Sequence, residues 1–222
     1  EPADDFSSDP EGSIGVVALP SGKAAPAQSA VRIADFHAYE AENALDPDVR
    51  VFGPTPEADF PVSRNLEPEY ITVVGGTAYA TLQEANAIAV VDLASATVTD
   101  IHALGFKDHG LAENALDPSD RDDRVELRTY EGLKGVYQPD AIDSYTAGDT
   151  TYLVTANEGD AREWGDYAEV VRAKDLGDDG LAPVCDDSPV ADALGDEDLG
   201  RLNVTIENGL DETRDCYEEL YA

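Results

Sequence analysis

The sequence predicts an all-β fold of the β-propeller class, an incomplete ring rather than a closed one. Three observations predict it: a strand–turn–strand unit that occurs twice, a first copy extended by two further apolar strands, and Asp/Gly/Pro-rich segments between the copies. The first copy runs Glu67-Pro68-Glu69-Tyr70-Ile71-Thr72-Val73, turns at Gly75-Gly76, and returns as Thr77-Ala78-Tyr79-Ala80-Thr81-Leu82. The second runs Gln138-Pro139-Asp140-Ala141-Ile142-Asp143-Ser144-Tyr145, turns at Gly148-Asp149, and returns as Thr150-Thr151-Tyr152-Leu153-Val154-Thr155. Alternation on both sides of such a turn is a hairpin signal. In the first copy Ala87-Ile88-Ala89-Val90-Val91-Asp92-Leu93 and Thr97-Val98-Thr99-Asp100-Ile101 add a third and a fourth strand. Four short strands in about 40 residues have the size of one blade.

The rest of the chain is placed around these copies. Residues 1–36 hold part of a preceding blade, because Gly12 to Leu19 repeats the third-strand pattern; 66–106 form a blade, 107–136 a long insertion, and 137–176 the next blade. Residues 177–200 are an Asp/Gly/Pro-rich loop with Cys185, and 201–222 begin another strand at Leu202-Asn203-Val204-Thr205-Ile206. Two to three blades plus long loops cannot close a ring, and the sequence contains no Met. The chain is therefore expected to be a trimmed piece, completed by the remainder of the propeller or by another chain, since open blades leave strand edges unpaired.

Charge narrows the function classes. Asp and Glu number 48 against 14 Lys and Arg, a formal charge of −34. Attraction to phosphate has the wrong sign, which excludes nucleic acid and anionic membranes as partners. An Asp-rich, Lys-poor surface suits a marine or halophilic setting, where salt screens self-repulsion. No apolar run is long enough for a membrane span, so no membrane insertion is expected. Cys185 and Cys216 lie away from any His-rich cluster, which favours a structural disulfide in an oxidising compartment over a metal pair or a nucleophile.

Five stretches carry a resemblance: Leu66-Glu67-Pro68-Glu69-Tyr70-Ile71, Thr81-Leu82-Gln83-Glu84-Ala85-Asn86-Ala87, Gly105-Phe106-Lys107-Asp108-His109, Tyr137-Gln138-Pro139-Asp140-Ala141-Ile142, and Thr155-Ala156-Asn157-Glu158-Gly159-Asp160-Ala161-Arg162. Together they resemble the choice-of-anchor I domain family, exported bacterial and archaeal proteins similar to the mesenchyme-specific cell surface glycoprotein. The resemblance implies a seven-bladed propeller in the full parent and a secreted or cell-surface location.

Aligning the two copies sets Glu69 over Asp140 and Glu84 over Glu158. Radially repeated carboxylates converge and repel unless a cation neutralises them, so Glu69, Glu84, Asp140 and Glu158 are candidates for a channel-mouth Ca²⁺ site. Strand-end capping is the alternative reading of the same residues. Asp117, Asp120 and Asp122 form a second candidate Ca²⁺ loop, without the Gly and Glu of an EF-hand. His109 with Glu84 or Glu158 would hold a transition metal and activate water if the chain were an enzyme, His109 and Glu158 being the catalytic pair, and a hydrogen-bonded structural His is the plainer alternative. Trp164 and Tyr167 would stack on a glycan or a surface protein, or pack over a blade edge. The function expected is a calcium-binding scaffold module; the alternative is a metal-dependent phosphoesterase, alkaline phosphatase-like or phosphotriesterase-like.

Overall fold

The computed structural model describes residues 7–22, 24–55 and 57–222. The chain is all-β, and the described residues add short 3₁₀ turns and one helical turn, α1 (Pro61–Asn65). It divides into two units, one of residues 1–105 and 137–160, the other of 106–136 and 161–222.

The first unit begins with the antiparallel pair β1 (Ser13–Val17) and β2 (Val31–Asp35). A four-stranded antiparallel sheet follows in the order β3 (Pro68–Val74), β4 (Thr77–Leu82), β5 (Ala87–Asp92), β6 (Thr97–Ala103). These are the four strands read in the first copy. The hairpin turn is allowed by Gly75, whose φ of +62° an L side chain rarely adopts, and Gly148 takes +63° at the matching place in the second copy. The β5–β6 turn is closed by the Asp92 carboxylate, which accepts the Ser95 N–H at 2.6 Å and its hydroxyl at 2.7 Å.

Cross-strand register decides which residues share a face. Val73, Ala78, Val91 and Val98 stand opposite one another, as do Ile71, Ala80, Ala89 and Ile101. Ala78, Ala80, Ala89, Val91, Val98 and Ile101 of this face join Ile14, Ala34 and Phe36 in one core, where the small alanines let the layers approach closely, while Ile71 and Val73 on β3 stay exposed. Arg32 of β2 ties the layers further, donating to the carbonyls of Leu93 and Ala94 at 2.8 and 2.6 Å.

The second copy forms the hairpin β9 (Pro139–Ala147) and β10 (Thr150–Asn157), a two-stranded sheet. It packs on the opposite face of the four-stranded sheet. The Thr72 hydroxyl meets the Ser144 hydroxyl at 3.1 Å, and the Thr81 hydroxyl donates to Asp140 O at 2.7 Å. No sheet closes into a ring among the described residues.

The strand content expected for 137–176 is thus divided. Past Asp160 the chain enters the second unit, where β11 (Glu163–Trp164) pairs with β12 (Tyr167–Ala168) and β13 (Val170–Arg172) pairs with β14 (Asn203–Thr205). The insertion contributes β7 (Phe106–Asp108) and β8 (Leu133–Val136), and β8 also pairs in parallel with β17 (Leu220–Tyr221). Leu133, Leu199, Val190, Val204, Tyr217 and Leu220 make this unit's core. Within it β15 (Leu210–Asp211) pairs with β16 (Cys216–Tyr217), and Cys216 is bonded to Cys185.

Candidate functional site

The four carboxylates aligned from the two copies all fall in the first unit. Glu69 is exposed where β3 loses register between Pro68 and Ile71, and Glu84 is half-buried in the β4–β5 turn. Asp140 is half-buried on β9, with its backbone carbonyl engaged by Thr81, and Glu158 is exposed just past β10. Among the described residues no three or more His, Cys, Asp or Glu side chains form a group able to hold a metal ion.

The junction between the copies is instead built by a neutral side chain. Asn86 is wholly buried in a left-handed conformation, φ +51°, one of the few types that tolerate it. Its Nδ2 donates to Gly105 O at 2.8 Å, and its Oδ1 accepts the backbone N–H groups of Tyr137 and Gln138 at 3.1 and 3.2 Å. One carboxamide therefore joins the end of the first copy to the start of the second. Arg50, buried, clasps the same turn by donating to Glu84 O at 2.8 Å while its guanidinium lies 4.4 Å from the Phe52 ring centroid. Sequence reasoning fixed on Glu84 and passed over Asn86, two positions on. The available signal was alignment of Asn86 with Asp160 together with the preference of Asn for left-handed turns.

An open pocket of ≈ 280 Å³ lies at the preceding junction, lined by Glu11, Glu67 and Glu69 with Pro10, Gly12, Ser13 and Pro68. Glu11 is partly neutralised, since its carboxylate is 2.5 Å from His37 Nε2 and 3.9 Å from Arg64. Donation of a hydrogen bond to the Glu11 carboxylate raises the His37 pKa above its ordinary value.

In the second unit the acidic loop is held by cations of the chain itself. Asp120 meets Arg201 at 2.7 Å, which keeps its carboxyl below the usual range, and Asp122 meets Arg124 at 3.1 Å. Asp117 accepts the Glu126 N–H at 3.2 Å. His109 is buried, and its Nδ1 lies 2.7 Å from the Asn114 carbonyl, which can only accept; the proton therefore sits on Nδ1. Nε2 points at Gly135, where an added Cβ would come within 2.9 Å of it.

Trp164 and Tyr167 face each other across β11 and β12. The Tyr167 hydroxyl donates to Glu207 at 2.6 Å, and burial, reinforced by that carboxylate, holds the phenol far above the ordinary tyrosine range. Beside them Glu169 is buried almost completely and accepts the Arg162 N–H at 3.0 Å, with Arg162 buried too. Arg162 closes the fifth resemblance stretch, and that place in the stretch was the signal that could have marked it.

The hairpin β9–β10 alternates over residues 142–145 and 152–155. Ile142, Ser144, Leu153 and Thr155 turn inward, while Tyr145, Tyr152 and Val154 turn outward with exposures of 54%, 45% and 51%. Tyr145 and Tyr152 are paired and stacked at 5.2 Å, making a rigid aromatic platform.

A family model described as the choice-of-anchor I domain matches residues 1–222. No curated protein and no solved structure matches the chain.

Proposed function

The chain belongs to the choice-of-anchor I family, a class of cell-surface-associated module, and from that premise we propose that it is an extracellular scaffold whose outward sheet face docks a further β-layer. The observation that carries this reading is a repeated relation between layers. On the outer face of the four-stranded sheet, Thr72 of β3 and Thr81 of β4 are met by β9 of the hairpin β9–β10. The corresponding outer face of that hairpin presents Tyr145, Tyr152 and Val154 to solvent. The strand pair β1–β2, the sheet β3–β6 and the hairpin β9–β10 then read as successive layers of a propeller-type stack. A following layer, from the remainder of the propeller or from another chain, would cover the tyrosine platform and take up the open edge of β10.

Calcium, suggested by the acidic repeats, would need ligands drawn from several loops, because Asp120 and Asp122 are already paired with arginines. The proposal therefore rests on the surface rather than on an ion. The experiment is tyrosine-specific surface labelling of the chain on intact cells and in purified form. Protection of Tyr145 and Tyr152 on the cell, with unchanged labelling of exposed Tyr70, is expected. Equal labelling of all three in both states would overturn the docking role.

A further inference from the structure

We propose that Asn203 is an N-glycosylation acceptor. The seven asparagines of the sequence include one followed at the second position by Ser or Thr, in Asn203-Val204-Thr205, with no proline between them. That spacing is the acceptor pattern for transfer of a saccharide to an asparagine amide in exported proteins. The pattern is short and arises by chance, so the structural context decides.

Three features of that context agree. Asn203 is exposed at the start of β14, whereas Val204 beside it is wholly buried in the unit's core, so the strand is anchored and the carboxamide projects away from it. Its side chain makes no hydrogen bond among the described residues. Other asparagines have structural work to do: Asn65 bonds both backbone groups of Phe52, Asn86 bonds three backbone groups, Asn114 donates to Asp108 O, and Asn157 accepts from the Thr155 hydroxyl. Finally, the same unit contains the Cys185–Cys216 bond, which forms in the oxidising exterior where such transfer takes place.

The reaction is a glycosyl transfer from a polyprenyl-phosphate-linked saccharide, catalysed by the cell's own transferase. The C1–O bond to phosphate breaks, its electron pair leaves with the phosphate, Nδ2 of Asn203 bonds to C1, and one amide proton passes to a base of the transferase. Thr205 sets the timing. In the folded chain it is buried, and its hydroxyl accepts the Glu207 N–H at 3.1 Å, so a transferase cannot reach it there. Transfer must precede the closing of β14 onto β13.

The test is mass spectrometry of the tryptic peptide 202–214, taken from the chain recovered at the surface of the cells that produce it. The expected result is a saccharide on Asn203 that is lost in Asn203→Gln and Thr205→Ala and retained in Thr205→Ser. Because Asn203 is exposed and unbonded, Asn203→Gln should melt like the wild type without its glycan. A peptide wholly unmodified in exported, disulfide-bonded protein would overturn the assignment, as would a saccharide surviving Asn203→Gln. The double variant Cys185→Ser/Cys216→Ser, which delays closure, should raise occupancy; unchanged or lower occupancy would overturn the proposed order of events.

Discussion

Replacing Asn86 by alanine removes the side chain that ties the end of the first copy to the start of the second. Truncation strands three backbone groups at once: Gly105 O and the N–H groups of Tyr137 and Gln138. A net hydrogen bond is worth about 1 kcal/mol, and a buried group left unpaired costs about 1–3 kcal/mol. Tyr137 and Gly105 are only half-buried, so water can rescue them in part, whereas Gln138 is buried and cannot be reached. Holding alanine at φ +51° adds about 1–2 kcal/mol. The sum is a loss of about 3–5 kcal/mol, a large share of the stability of an ordinary domain. Asn86→Gly strands the same groups without the backbone strain, so it should be milder than Asn86→Ala by about 1 kcal/mol. Urea unfolding followed by far-ultraviolet circular dichroism gives the loss, and amide hydrogen exchange at Tyr137 and Gln138 locates it. A loss below about 1 kcal/mol, with both amides still protected, would refute the role assigned to Asn86.

Other perturbations test other links. The Cys185–Cys216 bond spans 31 residues, for which loop-closure entropy gives about 4 kcal/mol; the double serine variant should lose that much in denaturant unfolding, and a loss under about 1 kcal/mol would show that the loop is held by its packing alone. Gly135→Ala drives a methyl against His109 Nε2 and should cost about 1–3 kcal/mol, relieved when His109→Ala is added; additive losses in the double variant would exclude that contact. His37, whose pKa is raised by Glu11, contributes stability fully present below its unfolded value of 6.5 and lost as pH climbs through the higher folded value. Nuclear magnetic resonance should show that value fall to the ordinary one in Glu11→Gln, and no change would mean that Glu11 is not the cause. Chelator should leave the melting temperature of the second unit unmoved, because Asp120 and Asp122 are neutralised by arginines; a drop above about 5 °C would point to a bound cation instead.

What the sequence makes visible here is local. The hairpins at 68–82 and 139–157 announce themselves through alternation and through glycines that the turns require, and both formed as read. The parallel pairing of Leu133 with Leu220 joins segments that no local pattern relates, and the same holds for β13 with β14. Acidic candidates were found by alignment, yet charge on a strand end does not say what faces it. Asp120 and Asp122 had Arg201 and Arg124 beside them, and only the fold reveals those partners. The buried polar residues were hardest, because Asn86, Arg162 and Glu169 are hydrophilic by type and are placed inside only by partners distant in the chain.

The sulfur–sulfur link encloses residues 186–215, a stretch rich in surface acid and turns. A protease in the surrounding medium that severs the backbone there frees nothing. The terminal strands β16 and β17 stay tethered through Cys216, and β17 stays zipped to β8. Nicked and intact molecules would co-migrate on a gel until a reductant separates them. For a molecule exposed to its neighbours' enzymes, that topology turns a cleavage into a scar.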